Sequence, residues 1–141
     1  MDWPVPATGA SEKVFTAAVL RQGTPPTLVV SSSIANSNSC VSDGAGYLNA
    51  FDAYHGGGLN GTSYFDINRN GSFDDEKLGA LPITSIDFGI GSIGQAGFSG
   101  NNVIVQGSGP SPTRATDSFG DVGLKGSPRV SRRISWREIT N

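Results

Sequence analysis

The apolar residues of this chain fall in short runs, and no run repeats with the 3.6-residue period of an amphipathic helix. The runs are rich in β-branched and aromatic residues and are bounded by Gly, Pro, Asn and Ser, which is typical of strands and turns. With 20 glycines and 8 prolines among 141 residues, chain reversals are frequent, and the length suits one domain. The sequence therefore predicts an all-β fold, with at most a single helical turn at 74–79.

Candidate strands follow directly from these runs. They are residues 12–20, 27–34, 46–54, 83–92, 101–107 and 132–139. The Pro25–Pro26 pair separates the first two at a spacing that suits an antiparallel hairpin. In the third, alternation places Leu48, Ala50 and Asp52 on one face of the strand. The long Gly/Ser/Pro-rich region 107–128 is expected to form irregular loops.

Net charge and cysteine content limit the possible partners. The formal net charge is −2, so there is no electrostatic case for nucleic acid or for an anionic membrane. Basic residues concentrate near the C-terminus, at Arg129, Arg132, Arg133 and Arg137. Because residues 132–139 alternate between polar and apolar, a solvated strand face is favoured there over a binding patch. The single cysteine, Cys40, excludes an intrachain disulfide; we expect a buried free thiol or a partner outside this segment.

The sequence predicts neither a membrane anchor nor an export signal. No run approaches the ~18 apolar residues that cross a bilayer. The start, MDWPVPATG, lacks both the basic and the apolar region of a signal peptide. If the protein is exported, its signal lies elsewhere. We therefore expect a fragment, in which Met1 is either an internal residue of a natural sequence or the start of a truncated one.

The segment DINRNGSFDDE, residues 66–76, has the residue spacing of a calcium-binding loop. Oxygen-bearing residues occupy its positions 1, 3, 5, 7 and 9, namely Asp66, Asn68, Asn70, Ser72 and Asp74. Calcium takes six to eight oxygen ligands from carboxylates, amides, backbone carbonyls and water, and alternate residues of a curled loop can supply them. Gly71, at position 6, permits the sharp turn that directs the Ser72 carbonyl at the ion.

The same segment departs from the EF-hand pattern at its end. Position 12 is Lys77 instead of a bidentate glutamate, and no helices are predicted on either side. Asp75 or Glu76 could complete the ligand shell, although the nine-residue form D-x-N-x-N-G-x-x-D can close on Asp74. The prediction is a calcium loop between β-strands that acts as a structural staple more than as a switch. The alternatives are an Asn-Gly turn with acidic decoration and, with a poorer fit, a magnesium site.

Four stretches together resemble, in this order, the C-terminal β-propeller of the PilY family of type IV pilus tip-associated proteins. They are MDWPVPATGASEKVFTAAVLRQG, SSSIANSNSCVSDGAGYLNAFDAYHGGGL, YFDINRNGSFDD and RRISWREI. Asp52 and Gly56–Gly57 stand where the family has "lD..tGG". The family's calcium ligands fall on Asp66, Asn68, Asn70 and Asp74. Similarity covers essentially the whole chain and is weakest at 78–128.

This resemblance implies a fold and a biological role. The fold would be the last part of a quinoprotein-like β-propeller, because six candidate strands cannot close one and the remaining blades would lie elsewhere on a longer polypeptide. The role would be a secreted or cell-surface, non-enzymatic factor of type IV pili that binds calcium. It would work with minor pilins at the pilus tip in assembly, retraction control, twitching and adhesion to host or abiotic surfaces.

Two other classes of function remain open. One is a structural, calcium-stapled module of a surface filament, associating through unpaired strand edges. The other is a fragment of a quinoprotein dehydrogenase, but His55 lies in a YHGGG turn where a surface residue is expected, and no triad of catalytic residues is available. The glycines 89, 91 and 94 match G-x-G-x-x-G without the helix that a dinucleotide site needs.

Three minor features receive structural interpretations. Asn60, in an Asn-Gly-Thr sequence, fits a glycosylation acceptor but is better explained by a tight turn. Trp3 and Trp136 are expected to anchor the core or contacts between blades, because large aromatics in short strands usually pack.

Overall fold

The computed structural model describes residues 11–34, 44–59, 61–109 and 119–125. These residues form strands, turns and loops, with no helix among them, so the expected all-β class is confirmed for this part of the chain. The strands are β1 Glu12–Lys13, β2 Val19–Arg21, β3 Thr27–Ile34, β4 Ala45–Asp52, β5 Phe65–Asp66, β6 Lys77–Leu78, β7 Leu81–Pro82, β8 Ser85–Asp87, β9 Gly97–Ser99, β10 Asn102–Gln106 and β11 Phe119–Leu124.

The larger sheet is built on the long antiparallel pair of β3 and β4. These strands pair along their whole length, from Thr27 opposite Asp52 to Ile34 opposite Ala45. β8 extends the sheet on the β4 side, and β2 joins β3 through the turn at 22–26, as the proline pair predicts. The bounds of β3 and the alternation of β4 agree with the sequence analysis.

The expected single strand at 12–20 is wrong, because the structure divides it into β1 and β2. Both pair with the same edge of β3, Lys13 opposite Ser33 and Val19 opposite Val29. The segment between Lys13 and Val19 is two residues longer than the segment of β3 that it faces, so it leaves the ladder. The hydroxyl of Thr16 donates a hydrogen bond to the backbone oxygen of Ser31 at 3.4 Å across this interruption.

The second sheet has four antiparallel strands in the order β5-β11-β10-β9. β10 lies within the predicted segment 101–107, whereas β9 was not predicted. β11 lies inside 107–128, so the expectation of irregular loops is wrong for 119–124. β10 provides five paired residues for β11, and this partner compensates for the weak strand propensity of its two glycines.

A third, two-stranded sheet is the hairpin of β6 and β7, in which Leu78 pairs with Leu81. It occupies part of 74–79, where a helical turn was the one expected exception, and that expectation is wrong. Gly79 adopts φ +66°, a left-handed conformation that closes a two-residue hairpin loop. The described strands thus form three separate antiparallel sheets, and no closed barrel or propeller is formed among them.

One hydrophobic cluster joins the two larger sheets. Its buried members are Val29, Leu48, Ala50, Tyr64, Phe65, Ile90, Ile93, Ala96, Val103, Val105, Val122 and Leu124. Arg21, on β2, links the sheets at the surface: its guanidinium donates to the backbone oxygen of Gly100 at 2.8 Å and lies 5.0 Å from the centroid of the Phe98 ring. The core therefore supports β5, from which the acidic loop begins.

Several sequence predictions lie outside the described residues. They are the strand at 132–139, the arginine cluster, Cys40, Asn60, Trp3 and Trp136. In the part of the chain that the structure describes, no helix could cross a membrane.

Candidate metal centre

The acidic loop runs from the end of β5 to the start of β6, and its first residue is anchored in the second sheet. Asp66 is 8 % exposed and pairs with Gly123 of β11. A side chain at position 123 would approach the Cβ of Asp66 to 3.0 Å, so the glycine there allows close contact between the strands. The loop therefore starts from a rigid position at the border of the core.

The carboxylate of Asp66 is the point around which the loop curls. Its Oδ1 accepts the backbone N–H of Asn70 at 3.1 Å, and its Oδ2 accepts that of Gly71 at 2.9 Å. The curl requires left-handed backbone at Arg69, with φ 59°, and at Gly71, with φ 80°. The expected turn at Gly71 is confirmed, and the turn at Arg69 was not predicted.

The residues at positions 3, 5 and 7 of the loop turn their side-chain oxygens toward its backbone. Asn68 Oδ1 accepts the N–H of Asn70 at 3.0 Å, and Asn70 Oδ1 accepts that of Ser72 at 2.7 Å. The hydroxyl of Ser72 accepts the N–H of Asp74 at 3.4 Å. In each of these turns the side-chain oxygen accepts the backbone N–H two residues further along the chain, as Asn and Ser commonly do.

Asp74, the last predicted ligand, contacts a second segment of the chain. Its Oδ1 accepts a hydrogen bond from the hydroxyl of Thr62 at 2.9 Å. The N–H of Ser63 donates to the backbone oxygen of Phe73 at 2.8 Å, which holds the two segments side by side. All five predicted ligands thus lie in one hydrogen-bonded loop, and its end is fixed by residues 62–63.

The carboxylate of Asp75 bridges the two asparagines of the loop. Its Oδ2 accepts the side-chain N–H groups of Asn68 at 3.1 Å and of Asn70 at 2.5 Å. The hydrogen bond from Asn68, followed by that from Asn70, holds the pKa of Asp75 below its ordinary value. In this arrangement Asp75 orients two predicted ligands.

Glu76, at the end of the loop, binds the backbone at the start of the loop and so closes it. The spacing did not predict this role. One oxygen of this buried side chain accepts the backbone N–H groups of both Ile67 and Asn68 at 2.9 Å. Lys77, which takes the place of an EF-hand glutamate, is exposed. The missed signal is an acidic residue ten positions after Asp66, which can reach back only if the loop is tightly curled.

Two contacts tie the loop to the end of the second sheet. The guanidinium of Arg69 donates to the carboxylate of Asp121 in β11 at 2.5 Å. The ammonium of Lys125 lies 5.6 Å from the centroid of the Phe73 ring, a cation–π distance. Both ends of the loop and its outer side therefore rest on elements supported by the core.

The chemistry of the loop fits a hard divalent cation. Residues 66–76 contain four carboxylates and one guanidinium, that of Arg69, which contacts Asp121, so the loop carries excess negative charge. Among the described residues, no group of three or more His, Cys, Asp or Glu side chains is arranged to hold a metal ion. The donors here are mixed, with amide, hydroxyl and backbone oxygens between carboxylates, which is the ligand chemistry that calcium accepts.

His55 belongs to a separate turn after β4. Its side chain is 82 % exposed, and its Nδ1 lies 3.0 Å from Asp52 Oδ2. Asp52 Oδ1 also accepts the backbone N–H of Tyr54 at 2.8 Å, so this carboxylate stabilises the turn. The hydrogen bond from His55 is the main cause of a lowered pKa at Asp52. No serine or cysteine joins the pair within the described chain.

The G-x-G-x-x-G match lies in the loop between β8 and β9. Gly89 and Gly91 adopt positive φ, and the described chain continues into β9 without a helix. A phosphate site of the dinucleotide-binding type needs a helix N-terminus at this point. The glycines therefore serve the turns of this loop.

Comparison of the chain with protein-family models, curated proteins and solved structures finds no match. The resemblance to the PilY family therefore stays a prediction that rests on the order of the quoted motifs.

Proposed function

We propose that this chain is a calcium-binding, non-enzymatic part of a type IV pilus tip or assembly factor. The observation that supports calcium binding is the conformation of the loop at 66–76. Its side chains curl it around Asp66 and close it through Glu76, and its four carboxylates outnumber its single guanidinium. Such a preformed, negatively charged loop spends little free energy on ordering when a cation binds.

The expected ligands are the side chains of Asp66, Asn68, Asn70 and Asp74 and the backbone oxygen of Ser72. Bound calcium would neutralise the carboxylates and fix the loop between β5 and β6. The side chains of Asp75 and Glu76 act in support, because they hold the asparagines and the first loop amides. At 100-fold excess over Kd, binding would stabilise the folded protein by roughly 2.7 kcal/mol.

The pilus assignment rests on the motif order described in the sequence analysis. In this proposal the chain contributes the last blades of a quinoprotein-like propeller at the cell surface. The remaining blades and the minor pilins of the tip complex are its partners. The calcium-loaded loop favours the extended pilus and surface adhesion, because an ordered loop offers a defined contact surface.

A second candidate is a structural module of a surface filament, stapled by calcium. The exposed outer strands of the two larger sheets favour it. β8 and β9 each pair on one side only among the described strands, so each offers backbone groups to another chain. In this case calcium would stabilise assembly, and no pilin would be recognised.

The first experiment is calorimetric titration of calcium into chelator-treated protein. The test variant is Asp66→Asn combined with Asp74→Asn, which keeps the side-chain shapes and removes two charges. Asp87→Asn, an exposed carboxylate outside the loop, is the matched control. One-site binding in the wild-type protein and in the control, lost in the test variant, is the expected result. Calcium binding of equal affinity in the test variant would exclude the loop as the site.

The second experiment separates the two candidate functions. The calcium-loaded protein and the double variant are each passed over immobilised minor pilins, with and without chelator. Calcium-dependent capture of the wild-type protein supports the pilus factor. Calcium-dependent self-association in sedimentation, without capture, supports the filament module. A quinone absorbance band or dye-linked oxidation would contradict the non-enzymatic proposal.

A further inference from the structure

An open cleft of about 510 Å³ lies beside the acidic loop at 66–76, between the end of the larger sheet and Lys125. Its lining combines the turn before β3, the end of β4 and the turn after it, the segment before β5, and Lys125, the residue after β11. The lining residues are Thr24, Pro25, Asp52, His55, Gly58, Leu59, Thr62 and Lys125. Both apolar and hydrogen-bonding groups therefore face the same space, as in sites for small ligands.

Lys125 is the cationic group of this cleft. The ammonium of Lys125 forms no salt bridge within the described chain and contacts the ring of Phe73 instead. The buried carboxylate of Asp52, by contrast, has donors on both oxygens. Oδ1 accepts the N–H of Tyr54 at 2.8 Å and of His55 at 3.3 Å, and Oδ2 contacts His55 Nδ1. An anionic ligand would therefore find Lys125 available, whereas the oxygens of Asp52 are already hydrogen-bonded within its own turn.

Two residues that line the cleft also contact the acidic loop. Thr62 lines the cleft and donates its hydroxyl hydrogen bond to Asp74 in the loop. Lys125 lines the cleft and lies over the ring of Phe73, the residue before Asp74. The hydroxyl group of Thr62 thus connects Asp74 to the cleft. Its negative charge, and that of the loop behind it, opposes an anion at Lys125 unless a cation neutralises the loop.

We propose that this cleft binds a small carboxylate-bearing ligand through Lys125 and that calcium in the loop strengthens this binding. The ammonium would supply the charge, and the hydroxyl of Thr24 a further hydrogen bond. The calcium dependence rests on the calcium function proposed above, whereas the carboxylate site rests on the cleft alone. By linkage, the carboxylate ligand must raise the calcium affinity by the same factor.

The test is an NMR titration of isotope-labelled protein with acetate at constant ionic strength. Acetamide, which has the same shape without the charge, is titrated in parallel. With saturating calcium, acetate should produce saturable shifts at the amides of Thr24, Thr62 and Lys125, and acetamide should not. In chelator the acetate affinity should be weaker by about fivefold or more, the lower end of typical coupling between sites.

Variants test the carboxylate site and its coupling to calcium separately. Lys125→Gln should abolish the acetate shifts, whereas Lys13→Gln, a change at an exposed lysine of β1, should leave them unchanged. Thr62→Val removes the hydrogen bond to Asp74 and should reduce the effect of calcium on acetate binding. Equal shifts with acetate and acetamide, or unchanged binding in Lys125→Gln, would overturn the carboxylate site. Equal acetate affinity with and without calcium would overturn the coupling.

Calorimetry with calcium on the same samples keeps the two proposals distinguishable. Calcium binding without any acetate binding overturns the inference and leaves the calcium function intact. Acetate binding at Lys125 without calcium binding supports the carboxylate site and overturns both the coupling and the calcium function.

Discussion

Replacing Glu76 tests whether this carboxylate closes the loop before any ion is bound. One of its oxygens accepts two backbone N–H groups at 2.9 Å, from Ile67 and Asn68, and the residue is 8 % exposed. Hydrogen bonds to a charged group contribute roughly 1.5–3 kcal/mol each. Ile67 and Asn68 lie at the surface, where hydrogen bonds to water can replace part of this contribution. We therefore expect Glu76→Ala to lower the free energy of unfolding by about 2–3 kcal/mol in total.

Glu76→Gln provides an intermediate case, because it keeps an acceptor oxygen and removes the charge. Its expected loss is about 1 kcal/mol. The assay is urea unfolding followed by near-ultraviolet circular dichroism, in chelator and in saturating calcium. Asp87→Ala is the control: this exposed carboxylate accepts one backbone N–H, from Gly89 at 2.7 Å, and should lose less than about 1 kcal/mol.

The chelated protein decides between two roles of Glu76. If its carboxylate served only as a calcium ligand, its removal would lower stability in calcium and have no effect in chelator. A closing role requires the loss under both conditions, with the order wild type, Gln, Ala. Equal urea midpoints for wild type and Glu76→Ala in chelator would refute the reasoning.

Three further changes have defined expected outcomes. Gly71→Ala places a side chain at φ 80°, so it should cost roughly 1–2 kcal/mol in urea unfolding and weaken calcium binding in calorimetry. Val103→Ala removes a fully buried side chain and should lower the free energy of unfolding by about 2 kcal/mol. Ile104 lies on the opposite face of β10 and is 41 % exposed, so Ile104→Ala should cost less than half of that. Equal losses in the two variants would contradict the assigned faces. The hydrogen bond from His55 lowers the pKa of Asp52, so this stabilisation is present above the ordinary pKa of 3.8 and is lost as pH falls through the lowered value. The urea midpoint of the wild-type protein should fall more steeply with acidification in that range than that of Asp52→Asn, and parallel pH profiles would contradict this.

The long strands of the larger sheet could be predicted because their signals are local. Each carries eight residues of strand-forming sequence, and the proline pair marks the turn before β3. The interruption between β1 and β2 could not be predicted, since it arises from a two-residue difference in length between two paired segments. Such a difference exists only once the register with β3 is known.

The shorter strands escaped prediction for a different reason. β5, β6 and β7 have two residues each, too few to show any alternation. β11 contains two glycines and an aspartate in six residues, a composition that by itself favours a loop. Its strand conformation is imposed by β10 and β5, which flank it in the sheet.

In the candidate site, the sequence could indicate positions but not the contacts that hold them. The two-residue spacing of Asp66, Asn68, Asn70, Ser72 and Asp74 was visible directly. The roles of Asp75 and Glu76 depend on how tightly the loop curls, which only the backbone conformation determines. The contact of Asp74 with Thr62 joins residues that are twelve positions apart, and no local pattern indicates it.

The interrupted edge formed by β1 and β2 has a consequence for solubility. An uninterrupted strand of eight residues alongside β3 would present a straight row of free N–H and C=O groups, to which another chain could add. Two strands of two and three residues, separated by a bulge and carrying the exposed Lys13, cannot template such addition. The surplus of two residues thus protects this side of the sheet against edge-to-edge aggregation, and among the described strands the opposite edge, at β8, is the side open to strand-mediated association.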